Sequence, residues 1–136
     1  MAANGQLTGM RGVYLVAAEL SKLEFIVSLT SRSSFGADIL VTDMDCKKTY
    51  SVQVKTNAKV FGFWLLNKHS RHLKSKTHIY VFVNLREKKR GTEYFVVPSE
   101  VVSDKMIIER TKTSTFYSLA YKDAKKYENK WSLFKN

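Results

Sequence analysis

The segment from Gly36 to Lys55 sets the tightest limits on how this chain can fold. Two short runs, Gly36 to Thr42 and Thr49 to Thr56, flank the polar turn Asp43-Met44-Asp45-Cys46-Lys47-Lys48. The second run alternates Tyr50, Val52 and Val54 with Ser51, Gln53 and Lys55, the period-two pattern of a strand with one face on a core. The first carries Ala37, Ile39 and Val41 on one face and Asp38 and Leu40 on the other. Folded as a hairpin about Asp45 and Cys46, the pair sets Asp38 directly opposite Gln53. Opposite side chains on one face lie about 5 Å apart, and neighbours two along a strand roughly 6 to 7 Å. Asp38, Gln53 and Lys55 are therefore predicted to converge.

Periodicity supplies the rest of a coarse architecture. From Gly9 to Leu29, apolar residues at Val13, Val16, Ala17, Leu20, Leu23 and Val27 form one helical stripe, which predicts a long first helix after a flexible lead at residues 1–8. At 100° per residue, Glu19 lies about 60° from the centre of that stripe, at its margin, where it can reach over a sheet edge. Ser31-Arg32-Ser33-Ser34 breaks the pattern. Ile79 to Leu85 is a nearly unbroken β-branched and aromatic run, as in a strand buried on both sides. Glu93 to Val97 pairs with it across the turn Arg86 to Gly91, and the Arg86 to Arg90 run reads as a solvated turn. Pro98 closes that strand, with Ser99 as the cap of a short helix through Val102. Lys122 to Asn129 reads as a polar terminal helix, after which Trp131, Leu133 and Phe134 dock back. The order is helix, two strands, a mixed segment, two strands and a helix, in a single domain over residues 1–136.

Composition bounds the chemistry. Against 12 Asp and Glu stand 23 Lys and Arg, for a formal charge of +11 and a pI near 9.8. A field of that sign favours polyanions, chiefly nucleic acid and less often an acidic membrane face. The longest apolar runs fall far short of a membrane span, and the N-terminus carries no secretory pattern, so a cytoplasmic location is expected. The single cysteine, Cys46, excludes an internal disulfide and a multi-cysteine zinc site. Basic residues Lys68, Arg71, Lys74 and Lys76 follow the aromatics Phe61, Phe63 and Trp64, a combination suited to phosphate contact with some base stacking. His69 and His72 share a helical spacing but lack a third ligand for zinc.

An acid, an amide oxygen and an ammonium clustered on a hairpin can hold a hard divalent cation beside a scissile phosphate. Plainer readings stand beside this one. Ser51, Gln53 and Lys55 also fit the wet face of an antiparallel strand. Asp38, isolated within Gly-Ala-Asp-Ile-Leu-Val, needs a partner, which is either a cation or Lys55 in a structural ion pair. Glu19 equally fits an ordinary surface position, with Glu24 a weaker substitute.

The ordered set of Glu19 on a helix, Gly36-Ala37-Asp38-Ile39-Leu40-Val41, Val52-Gln53-Val54-Lys55 and two apolar strands resembles the PD-(D/E)xK nuclease superfamily, most of all its small resolvase-like members. The resemblance implies a restriction-endonuclease-like α/β fold, a central mixed sheet of four to five strands flanked by helices. It implies a DNA endonuclease using Mg²⁺ or Mn²⁺, with Asp38 the central ligand, Gln53 the second, the Val54 carbonyl completing the sphere, Lys55 acting on the attacking water and Glu19 assisting. A homodimer would address both DNA strands. Ala37 stands where the motif has proline, and Gln53 where it has Glu or Asp. The second departure removes a charge and leaves open a silent member of the fold that binds nucleic acid or another protein. An immunity or adaptor protein is a third class.

Overall fold

The structure, a computed structural model, describes residues 2–31, 36–86 and 91–134. In chain order the elements are helix α1 (Ala2–Lys22) and strands β1 (Ile26–Leu29), β2 (Ile39–Thr42), β3 (Thr49–Asn57), β4 (Phe63–Leu66), β5 (His78–Asn84) and β6 (Glu93–Pro98). Helix α2 (Ser99–Lys105), strands β7 (Ile107–Arg110) and β8 (Thr115–Ala120) and the short helix α3 (Tyr121–Ala124) follow. Single 3-10 turns cover Lys68–Arg71, Lys125–Tyr127 and Trp131–Phe134. The expected break over Arg32-Ser33-Ser34 and the basic turn over Glu87-Lys88-Lys89-Arg90 lie outside the described residues.

Five strands form a mixed sheet in the order β1-β2-β3-β5-β6. Both expected hairpins are present: Ile39 lies opposite Val52 in β2 and β3, and Phe82 opposite Phe95 in β5 and β6. Strands β3 and β5 run parallel, with Val54 beside Val81. Parallel neighbours need a crossover of roughly a dozen residues or more. Here residues 58–77 supply it, and they carry β4 and the basic segment.

Side-chain alternation divides the sheet between two cores. Ile39, Val41, Val52, Val54 and Val81 pack on one side against Val13, Val16 and Leu20 of α1 and against Phe134 near the C-terminus. Tyr80, Phe82, Phe95 and Val97 point to the other side, under Trp64, Leu66, Val102 and Leu119. That cover comes from α2 and a second sheet in the order β4-β8-β7. Strand β5 is buried along its whole length, as its unbroken apolar run predicts. Trp131, Leu133 and Phe134 dock as expected, stacking Trp131 on Phe134 at 6.4 Å between ring centres.

Several elements depart from the sequence reading. Helix α1 begins at Ala2, within the stretch expected to be a flexible lead, and stops at Lys22, seven residues short of Leu29. It ends in a Schellman turn: the Phe25 N–H donates to Leu20 O at 3.4 Å, the Glu24 N–H donates to Ser21 O at 3.1 Å, and Glu24 takes a φ of 65°. Glutamate in place of glycine hid that stop, and Val27, which fits the helical stripe, belongs to β1 instead.

Ser99 does not cap α2. The N-cap is Pro98, and the fully buried Ser99 hydroxyl clasps the backbone of Ser75 instead, donating to its carbonyl at 2.8 Å and accepting from its N–H at 2.9 Å. The polar terminal helix shrinks to α3 and one 3-10 turn, because Glu128 bridges Phe95 and the Asn129 N–H donates to Tyr94 O at 2.9 Å. Pairing with the open edge of β6 wins over continuing a helix. The mixed segment and the stretch after α2 hold β4, β7 and β8, three short strands that pair with one another rather than with the main sheet.

Candidate active site

Asp38 stands one residue ahead of β2, fixed by its neighbours on both sides. Its N–H donates to Val52 O at 2.8 Å, and its carbonyl accepts from the Thr30 N–H at 3.0 Å and the Thr30 hydroxyl at 3.2 Å. The ladder ends at Ile39 opposite Val52, and Asp38, hung from the same Val52 carbonyl, lies beside Gln53 at that end. The side chains meet: Asp38 Oδ2 accepts from Gln53 Nε2 at 3.0 Å and from the Val54 N–H at 2.8 Å. An ionised carboxylate has no proton to give, so Gln53 presents its nitrogen and turns its amide oxygen away from Oδ2. In an extended strand a residue's N–H and C=O leave on the same side, so the Val54 carbonyl faces the same edge.

Lys55 lies two residues beyond Gln53 on the same, half-buried face of β3. Among the described residues it makes no direct ion pair, yet its charge and that of Asp38 act on each other. Burial is the larger influence on both. It lifts the Asp38 carboxyl above its ordinary range, an effect that the Val54 N–H and then Lys55 partly offset. It lowers the Lys55 ammonium, which Asp38 partly offsets. Each group is thus closer to neutrality than it would be in water. A pair serving only structure would close to contact, and this one does not.

Glu19 does not join the cluster. Its Oε2 accepts from Lys22 Nζ on the same helix at 2.8 Å, and its charge, after burial, helps raise the Tyr94 hydroxyl. Tyr94 belongs to β6, at the far edge of the sheet from β2. Glu19 lies at the margin of the helix stripe, as expected, but which side chains stand beside that margin is not written in the helix's own periodicity.

The basic segment is tied down beside the site. Ser103 Oγ donates to Arg71 O at 2.6 Å, and the Ser99 clasp holds Ser75. Lys68, Arg71, Lys74 and Lys76 are all exposed. Lys74 lines a cleft of about 350 Å³ shared with Ala37, Ser51 and His78, while Lys68 and Arg71 line another of about 400 Å³ with His69, His72 and Tyr117. Gly36 permits this approach: its φ is 79°, and a Cβ there would meet Leu73 Cδ1 at 3.2 Å.

Sequence reasoning missed two contributors. Thr30 fastens the Asp38 backbone, and His78 Nδ1 lies 2.7 Å from Ser51 Oγ at the cleft wall, its ring nearly buried and its ionisation lowered by that burial. The Ser51–His78 pairing follows from the parallel register of β3 and β5, which no local pattern reveals.

The donors suit a hard divalent cation in kind. Asp38 Oδ1, the Gln53 amide oxygen and the Val54 carbonyl are all oxygen atoms, but they bring only one negative charge. Among the described residues no three His, Cys, Asp or Glu side chains gather. Such a set fits an ion that completes its shell with water and phosphate oxygens, as Mg²⁺ commonly does.

No family model and no curated protein matches the sequence. The structure is similar to that of Hjc, a Holliday junction resolvase from the archaeal hyperthermophile Archaeoglobus fulgidus. The TM-score is 0.50 at 14% identity, over 81% of this chain and 88% of that one. The fold is restriction-endonuclease-like, a mixed five-stranded sheet with flanking helices, as the sequence led one to expect. No helix among the described residues is long and apolar enough to cross a membrane.

Proposed function

We propose that this chain is a divalent-metal-dependent DNA endonuclease that hydrolyses phosphodiester bonds at Asp38, Gln53 and Lys55. The observation that carries the reading is the double hydrogen bond from Gln53 and Val54 to one oxygen of Asp38, with Lys55 next on the same face of β3. Among the described residues, that arrangement leaves Oδ1 of Asp38 as the free end of a rigidly held carboxylate. Asp38, Gln53 and Val54 would hold Mg²⁺ or Mn²⁺, which when bound supplies positive charge against the phosphate and acidifies water. Lys55, its ammonium lowered by burial, is suited to take up or return a proton at the attacking water and to meet charge developing on the phosphate. Lys68, Arg71, Lys74 and Lys76 supply phosphate contacts under a net charge of +11. Likeness in fold to a Holliday junction resolvase supports DNA as the polymer, and a nucleic-acid substrate goes with an intracellular site of action.

Purified protein with Mg²⁺ or Mn²⁺ is expected to cleave linear, nicked or branched DNA, and Lys55→Ala to remove cleavage while leaving binding in place. Two such domains would address both strands, so sedimentation at working concentration is expected to show a dimer; a monomer there argues against pairing. A second reading, a silent site that only binds nucleic acid, draws on the single carboxylate among the donors. Salt-sensitive binding with no cleavage of any of these substrates would favour it.

A further inference from the structure

We propose that the apolar cleft beside Lys55 receives an unstacked nucleobase, so that the strand engaged at Asp38 and Lys55 carries an unpaired nucleotide next to the phosphate held there. This deepens the nuclease reading and rests on it. The cleft has a volume of about 330 Å³, and its walls include Lys55, Asn57, Phe61, Phe63, Trp64 and Leu65. Trp64 is a fixed floor: it is 1% exposed, its indole N–H donates to Val83 O at 3.1 Å, and it packs on Phe82 and Phe95.

Phe61 and Phe63 are different. They are 52% and 47% exposed, Leu65 is 59% exposed, and neither phenylalanine has an aromatic partner among the described residues. In β4 the alternation sends Trp64 and Leu66 into the core and leaves Phe63 and Leu65 in water, on a strand at the edge of its sheet. Large apolar side chains grouped around a concave floor mark a binding surface rather than scattered exposure.

Charge selects the occupant. Among the described residues the one charged wall is Lys55, the ammonium assigned to the phosphate, so whatever fills the cleft must bring an anion and an apolar plane together. A nucleotide does so. A second copy of this chain would bring another +11 to the same place. A base within a duplex has both faces covered by its neighbours and cannot enter, whereas an extruded or unpaired base can. Stacking on an aromatic side chain contributes about 1–3 kcal/mol per base, or roughly fivefold to 150-fold in affinity.

The test uses the full chain without added divalent ion and two fluorescein-labelled DNAs of equal length, one fully paired and one with a single-stranded tail, followed by anisotropy. Phe61→Ala and Phe63→Ala are each expected to weaken binding of the tailed DNA at least about fivefold and of the paired DNA less than about twofold. Phe63→Trp is expected to restore the tailed complex, and thermal melts of the variants to match wild type. Equal losses on both DNAs, or no loss on either, overturn the proposal. So does a wild-type dimer that Phe61→Ala dissociates with DNA affinity unchanged, which would make the patch a contact between copies. Wild-type protein that binds and cuts DNA but ignores Phe61 and Phe63 defeats this inference alone; failure to bind either DNA at low salt defeats the nuclease reading with it.

Discussion

Gln53 donates its amide hydrogen to the same oxygen of Asp38 that the Val54 N–H reaches, at 3.0 and 2.8 Å. Two donors on one oxygen fix the rotation of the carboxylate and leave its other oxygen to serve as an acceptor. The glutamine therefore orients the acid but adds no charge to it.

Gln53→Glu should raise divalent-ion affinity about tenfold, because a second carboxylate joins the first. Without metal the variant should melt at a lower temperature than wild type, since the donor to Asp38 is lost and two like charges face each other. Mn²⁺ titration followed by electron paramagnetic resonance, with melts in chelator, measures both. Unchanged affinity would mean that Gln53 lies outside the ion's reach.

Asp38→Asn should abolish cleavage while leaving the fold at least as stable as wild type at pH 7. Burial holds the Asp38 carboxyl above its ordinary 3.8, so the folded chain takes up that proton more readily than the unfolded chain. Its contribution to stability is full below 3.8 and is lost as pH rises through the folded value. Asparagine has no such proton and keeps an acceptor for the Val54 N–H. Urea melts should show the variant gaining on wild type as pH rises from about 4 to 7.

Lys55→Ala should lower the cleavage rate by about 10²-fold or more, the usual weight of a proton-transfer group. DNA affinity should change little, because one ammonium is removed from a chain with 23 Lys and Arg. Single-turnover cleavage set beside anisotropy separates the two effects. A matched loss in both would reduce Lys55 to a phosphate contact.

Gly12→Ala should destabilise the fold by about 1–3 kcal/mol through overpacking. A Cβ at that position would overlap Thr56 Oγ1, where α1 crosses the end of β3. Thr56→Ala in the same chain should return part of the loss. Urea denaturation of the single and double variants checks it, and independence of the two sites would contradict the close approach.

Substituting Lys68, Arg71, Lys74 or Lys76 by alanine should weaken DNA binding across sequences and lower the salt-dependence slope by about one for each residue that meets a phosphate. Binding isotherms between low and moderate salt read the slope. A residue whose removal leaves it unchanged makes no phosphate contact.

Much of the candidate site is legible in the sequence. The meeting of Asp38 with Gln53 follows from a two-residue period and a turn with a definite centre, and both are properties of neighbours in the chain. The unbroken run in β5 announced a strand covered on both faces for the same reason. Glu19 pairs with Lys22 rather than with the cluster: its position on α1 was readable, but the neighbours of that position were not. The stop of α1 at Lys22 escaped because Glu24 adopts the left-handed turn usually given to glycine.

Local period and turn chemistry therefore determined the hairpin, its register and the three residues that gather on it, since each depends on contacts only a few residues apart. Tertiary structure alone decided the parallel seating of β5 on β3, the Ser51–His78 pair, the serine clasps that bring the basic segment alongside and the phenylalanines left open beside Lys55. Those features come from burying two cores on opposite faces of one sheet, a demand that links residues far apart in the chain and leaves no periodic trace in it.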